Sequence, residues 1–359
     1  MNETDSSTFV GIDIGGTFTR LAVVDTHGRV LADRRTETPT TGQDLIRWLD
    51  NAYRICRDET DSLPAPRGMG VGVPGVLEPG RSAVSRAINL PFIEGLPLRD
   101  MLIERTGLAT WVDCDTVTAA WGEYCARQPT ALNGFGGGGQ HQDPTEAHGL
   151  RHVGRFAYLT IGTAVGAAVI IDSEILRHTD HSIGHLGQMI CDTDDDAPRC
   201  RSATSCGWRG PRGSLEAVVA APAIIHAAQA HGLLAVGSRQ ELNDLEIALQ
   251  RGDAPAARFV EKIAKPLAVA FSNIAHSYAI DLLVVGGGVA QGLPSLIRRA
   301  DALAERMLDE DSLIRAPSAS AGFPTAFSPM RVELSALADY AGVVGAALLA
   351  AKQLQDRAP

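Results

Sequence analysis

The chain has 359 residues, 45% of them hydrophobic and 21% charged, with a formal charge of −10, which is enough apolar material for two cores of ordinary domain size. The acidic balance and the absence of any lysine- or arginine-rich run exclude a phosphate-backbone binder, so nucleic acid is not expected as a partner. No apolar stretch reaches the roughly 20 residues that cross a bilayer, the opening MNETDSSTFVGID has neither the basic segment nor the apolar run of a signal peptide, and six scattered cysteines do not read as a secreted disulfide framework; a cytoplasmic protein with no membrane partner is expected.

In chain order, the segment Ile12 to Asp25, IDIGGTFTRLAVVD, reads as a strand, a tight Gly/Thr turn and a second strand. A helical stretch follows around Asp44 to Arg57, then a buried strand from Gly68 to Val73 that ends in Pro74-Gly75. Thr110 to Cys114 is strand-like, and Thr116 to Arg127 has the pattern of a helix. Residues 133–154, with four consecutive glycines, read as a flexible surface insertion whose histidines (His141, His148, His152) lack metal-ligand spacing. At Leu159 to Asp172, LTIGTAVGAAVIID repeats the first hairpin without gaps at an offset of 147 residues. A helical region begins near Ser214, and a long helix from about Ala256 to Tyr278 leads into the strand Leu282 to Val285 and the turn Gly286-Gly287-Gly288. The last segment, Asp339 to Gln355, reads as a small-residue helix that packs back on the first half. Two matching hairpins, one opening each half, predict a duplicated α/β fold that grips a ligand between its halves. The expected division is 1–119 together with 339–359, against 120–338.

Backbone amides bind phosphate oxygens, and glycine lets the backbone approach them closely. The first turn offers Gly15, Gly16 and Thr17 with the Asp13 carboxylate, suited to a hydrated Mg²⁺; the second offers Gly162, Thr163, Ala164 and Gly166; the third offers Gly286, Gly287 and Gly288. One such turn alone is an ordinary hairpin. Two in register and a third after a buried strand predict a nucleotide-binding site. Asp115, at a strand end, has two readings from its position: a helix N-cap, or a carboxylate placed to accept a hydroxyl proton.

The segments DIGGTFTRLAVVD, GVGVPGVL, NLPFIEGLPL, VDCDTVTAAWGE, GTAVGAAVI, SLEA and VVGGGVAQG, in this order, resemble the ROK family of sugar kinases in the actin-like ATPase superfamily, from Phe9 to the AGVVGAA segment at Ala341 to Ala347. The resemblance implies two duplicated actin-like (ribonuclease H-like) domains with an inter-domain cleft, a homodimer, and phosphoryl transfer from ATP to a hydroxyl of a small sugar-like molecule. Eight residues before the first hairpin do not hold the DNA-binding helix pair of the family's repressors, so a repressor role is not expected. The family's catalytic aspartate stands eight residues before a G-E glutamate, as Asp115 stands before Glu123. Asp115 is thereby implied as the base, with Gly75, Asn89 and Glu216 as substrate contacts.

Departures from the family pattern concentrate at the substrate end. Cys114 replaces the asparagine before the base, His185 the glutamate of G-E-x-G-H, and Gln188 its histidine. All three are assigned to the substrate pocket. The structural zinc cysteines fall on Gly207, Arg209 and Ser214, so no metal site is assigned, although His181 or His185 with Cys191, Cys200 and Cys206 are the remaining ligand types. A pocket without that glutamate suits a substrate lacking an ordinary anomeric hydroxyl, as in the C7-cyclitol kinases that this chain is similar to. The alternatives are an ordinary hexose kinase and a catalytically idle sugar sensor.

Overall fold

The computed structural model describes residues 7–87, 89–128, 153–177, 185–199, 210–235, 241–309 and 330–356. Residues 133–152 of the glycine-rich insertion lie outside these, as do His181, Cys200, Cys206, Gly207 and Arg209. The chain gives β1 (Thr8–Ile14), β2 (Phe18–Asp25), β3 (Val30–Glu37), α1 (Gly42–Glu59), β4 (Met69–Val73), β5 (Val76–Leu77), β6 (Val84–Arg86), α2 (Leu98–Thr106), β7 (Thr110–Cys114) and α3 (Asp115–Cys125). After these come β8 (Arg155–Ile161), β9 (Val165–Ile171), β10 (Glu174–Ile175), α4 (Leu215–Val219), α5 (Ala221–Ala230), α6 (Glu241–Gln250), α7 (Ala254–Tyr278), β11 (Leu282–Gly286), α8 (Gly288–Gly292), α9 (Pro294–Asp309), β12 (Arg331–Leu334) and α10 (Ala341–Gln355). The structure divides into two units, Met1–Val153 with Glu174–Gly184 and Asp339–Pro359, and Gly154–Ser173 with His185–Ala338.

In the first unit the strands run β3-β2-β1-β4-β7. The first three are antiparallel, and β4 and β7 add parallel to β1. Strand alternation sorts the side chains by face. Val10, Ile12 and Ile14 of β1, with Met69, Val71 and Val73 of β4 and Val112 of β7, join Leu45, Ile46 and Leu49 of α1 and Leu98 and Leu102 of α2 in one buried cluster. The opposite face carries Gly11, Gly70 and Gly72, and their lack of side chains lets α10 and α3 lie directly on the sheet. A methyl added at Gly11 or Gly70 would overlap the Val343 or Ala346 carbonyl oxygen of α10, and one at Gly72 would stand 2.5 Å from the Thr118 hydroxyl of α3. Between the two helices, Gly345 meets the Thr118 carbonyl and Gly122 faces Ala341.

This glycine contact explains why the division expected after residue 119 is not the one the structure makes. The whole of α3 lies in the first unit, where its backbone approaches that of α10.

The second unit repeats the topology. Its strands β9-β8-β11-β12 follow the order of β2-β1-β4-β7, with an antiparallel hairpin and then two parallel additions. The long α7 starts at an Asp253 cap whose carboxylate accepts from the Ala256 amide at 2.8 Å, and Ile263, Leu267, Phe271 and Ile274 mark its buried stripe at helical spacing. α9 packs on α7, and its Leu296, Ile297, Ala300 and Ala304 are buried. Among the described residues, no helix is long and apolar enough to cross a membrane.

Candidate functional site

In an open α/β sheet, ligand groups gather at the carboxyl ends of the parallel strands. In the first unit, register places Asp13 of β1 beside Gly72 of β4 and Gly72 beside Asp113 of β7, so the two carboxylates share the face covered by α10 and α3. Asp115 follows as the first residue of α3. Its Oδ1 accepts from the Thr116 amide at 2.6 Å, the Thr116 hydroxyl at 3.2 Å and the Cys114 thiol at 3.3 Å. Oδ2 accepts no hydrogen bond among the described residues. Burial pushes the Asp115 carboxyl above its ordinary range, while these three donors pull it back. Burial, together with the Asp115 charge, also holds the Cys114 thiol well above its usual range, so it stays a donor.

Asp13 is pushed up to about 7, by burial first and then by Asp115, with Arg20 opposing. Arg20 stands opposite Asp13 on β2 and stacks on the Tyr340 ring at 3.9 Å. The sign of the consequence follows from linkage. An aspartate whose folded pKa lies above the ordinary 3.8 binds its proton more tightly when folded, so its contribution to stability falls as pH rises from about 4 to about 7 and stays at its lowest above that. Asp13→Asn is therefore expected to melt above the parent protein at pH 8 in divalent-free buffer, with the difference shrinking toward pH 4. Thermal midpoints across that range check this; parallel pH profiles for the two proteins would contradict it.

The first hairpin turn is braced from outside. The Gly15 amide donates to the Phe18 carbonyl at 2.9 Å, the Thr38 amide to the Thr17 carbonyl at 2.8 Å, and the Thr38 hydroxyl to the Gly15 carbonyl at 2.6 Å. The amides of Gly16 and Thr17 are exposed and have no acceptor among the described residues. Asn89 is a neighbour of this turn, since a methyl on Gly16 would lie 3.8 Å from its Cβ. Gly75 has φ +108° and abuts the Arg86 carbonyl, a conformation and a space that only glycine fits.

The second unit assembles its own set. The Gly162 amide closes the β8–β9 turn on the Ala164 carbonyl at 2.9 Å, leaving Thr163 and Ala164 exposed, while Gly166 pairs with Thr160 in the ladder. Gly287, at φ +86°, sits where a methyl would stand 2.5 Å from the Ile161 carbonyl oxygen, so the glycine turn after β11 is pressed against the end of β8. Gly286 is enclosed against Tyr158, and Gly288 opens α8 with free space around it.

Glu216, in α4, receives the Val165 amide on Oε2 at 3.0 Å. His185 is exposed and precedes a single helical turn, Leu186–Gln188, whose Gly187 packs on the Val165 carbonyl. The Gln188 Oε1 atom is buried with no hydrogen-bond partner among the described residues. Gln188 and Glu216 are thus brought to the same turn as Gly162 and Val165. Ser214, at a position of the family's zinc cysteines, is fully buried and caps α4, accepting from the Ala217 amide at 3.3 Å. Backbone bonds from Cys191 and Asp192 to the Gly213 carbonyl and from Leu215 to the Met189 carbonyl tie this segment together. Among the described residues no cluster of three or more potential metal ligands occurs.

Four neighbours of the candidate site escaped sequence reading: Arg20, Arg81, Asp113 and Arg177. Arg20 was detectable from hairpin register alone, because it stands opposite Asp13. The other three meet across 32 and 64 residues of chain, which no local pattern signals.

The comparisons agree with this architecture. The chain is 25% identical over 350 residues to a glucokinase of Thermotoga maritima, covering 94% of this chain and 95% of that one. It is 24% identical over 352 residues to a provisionally named xylose repressor of Caldicellulosiruptor sp. (strain Rt8B.4), covering 94% and 76%. A crystal structure of a ROK family glucokinase from Streptomyces griseus in complex with glucose and AMPPNP superposes with a TM-score of 0.69 at 23% identity, over 96% of this chain and 100% of that one. The fold is therefore the duplicated actin-like α/β fold, and, with the family model matched over residues 9–133 and 148–353, the chain belongs to the ROK family.

Proposed function

We propose that this protein is an ATP-dependent kinase that phosphorylates a hydroxyl, a primary one, of a small sugar-like molecule, either a C7-cyclitol type of carbocycle or a hexose. The observation that carries the reading is the Asp115 carboxylate. One oxygen is saturated by three donors, the other is without a partner among the described residues, and burial raises its basicity. Such a group is held in one orientation and is poised to take a proton from an alcohol as that alcohol attacks a phosphoryl group.

When bound, ATP supplies the phosphoryl group and Mg²⁺ the positive charge that balances it. Asp13 would be the residue to hold a hydrated Mg²⁺, because its buried carboxylate, whose proton affinity is raised by burial and by Asp115, would be relieved by a cation. The amides of Gly16 and Thr17, and the turns at Gly162 to Ala164 and Gly286 to Gly288, fit phosphate and ribose contacts of the nucleotide. On the substrate side, Gly75 and Asn89 line the first unit's contribution. The buried Gln188 Oε1 has no donor among the described residues, and a substrate hydroxyl would meet that need. His185 stands on the same turn, and Cys114 presents a protonated thiol beside the base. Glu216 acts through Val165, fixing the turn that follows Gly162.

The relatives carry both enzymatic and repressor names, which keeps a catalytically idle sensor as the second reading. Incubation with ATP, Mg²⁺ and a panel of hexoses, hexosamines and cyclitols separates the two. The kinase reading expects ADP and a phosphorylated product with at least one member, and the departures at Cys114, His185 and Gln188 expect a carbocycle to outpace glucose. Measurable ligand binding without turnover on any member would establish the sensor instead.

A further inference from the structure

Asp113, two residues before the candidate base, is 4% exposed, and a carboxylate is buried at heavy cost unless its oxygens are met by donors. Here each oxygen has two. Oδ1 accepts from the Cys114 amide at 2.9 Å and from Arg177 Nη1 at 3.1 Å; Oδ2 accepts from Arg177 Nη2 at 2.6 Å and from Arg81 Nη1 at 3.0 Å. The Arg177 pair is the bidentate fork, which fixes direction as well as charge. Arg81 reaches in from a turn in which its own φ is +48°, a left-handed conformation that non-glycine residues avoid. That turn is closed by the Arg81 amide on the Glu78 carbonyl at 2.8 Å. The arginines thus come from two distant loops, one of them strained, to hold one carboxylate.

What the carboxylate holds in turn is the amide of Cys114, the residue from which α3 begins and whose thiol contacts Asp115. Resting on the reading of Asp115 as the base, we infer that Asp113 is a positioning residue for the reaction: clamped by Arg81 and Arg177, it fixes the Cys114 peptide and so the orientation of the Asp115 carboxylate. A misplacement of about 1 Å at such a group costs on the order of 100-fold in rate, so the clamp acts on kcat and leaves nucleotide binding alone.

Removing Asp113 alone strands two guanidinium groups and endangers folding, so each substitution at Asp113 is combined with Arg81→Gln and Arg177→Gln, a set that leaves no buried charge unpaired. In that combination Asp113→Asn retains an oxygen able to accept from the Cys114 amide, and Asp113→Ala does not. The expected result is that the Asp113→Ala triple variant has a kcat roughly 10- to 100-fold below that of the Asp113→Asn triple variant, with the same KM for ATP. In hydrogen exchange, the Cys114 amide is expected to be protected in the first and unprotected in the second. Equal kcat for the two variants, or equal protection of the Cys114 amide, would overturn the inference. If Asp115→Asn in the otherwise unaltered protein turns over as fast as the parent, the base assignment falls, and the exchange comparison alone then decides whether Asp113 holds that peptide.

Discussion

Asp115→Asn is expected to lower kcat by about 10²- to 10⁴-fold, the usual contribution of a positioned general base, with the KM for ATP and the thermal midpoint close to those of the parent. The amide keeps an oxygen for the Thr116 amide and hydroxyl that now serve Oδ1, and the N-cap of α3 is Cys114 and not Asp115, so the start of α3 keeps its backbone cap. What disappears is the ability to take a proton. Steady-state kinetics on the best substrate of the panel, alongside a melting curve, read the two quantities separately. A variant that loses both together would mean that Asp115 serves the start of α3 structurally, through its bonds to Thr116, rather than proton transfer.

The largest loss of stability is expected from alanine at Gly70 or Gly345. Each added methyl would occupy the place of a main-chain carbonyl oxygen, that of Ala346 in the first case and of Thr118 in the second, and a backbone atom yields only if the whole helix moves. Overpacked cores ordinarily lose about 1–3 kcal/mol, occasionally more, and these two sites belong at the top of that range or above it because sheet, α3 and α10 all meet there. Gly80→Ala is the control: nothing lies within 4 Å of its added methyl, and a change within about 0.5 kcal/mol is expected there. Denaturant melts of the three variants check this. A Gly345→Ala protein as stable as the Gly80→Ala protein would mean that α10 and α3 are not in backbone contact.

The duplicated hairpins were legible because their pattern is local: β-branched residues on both sides of a glycine turn repeat at a fixed offset, and they become β1–β2 and β8–β9. The glycine turns were legible for the same reason. β3 was missed because VLADRRTE is mostly polar at an edge position, where one side of the strand faces water. β12 is a four-residue edge strand whose pairing with β11 no sequence window displays. The helix α3 was legible, but its attachment to α10 was not, because that signal lies in backbone contacts of Gly122 with Gly345 and of Gly345 with Thr118, separated by more than 200 residues. The same holds for the site. Asp115 and Asp13 stand out by motif, but the Glu216 contact with Val165 and the arginine clamp on Asp113 exist only once the sheet has brought distant loops together.

Hydrogen–deuterium exchange of the protein with and without Mg²⁺-ATP tests the central claim most directly. The account predicts slowed exchange at three separate places, the amides of Gly16 and Thr17, the turn from Gly162 to Ala164, and the turn from Gly286 to Gly288. Saturating nucleotide that leaves all three turns exchanging at their free rates would contradict it.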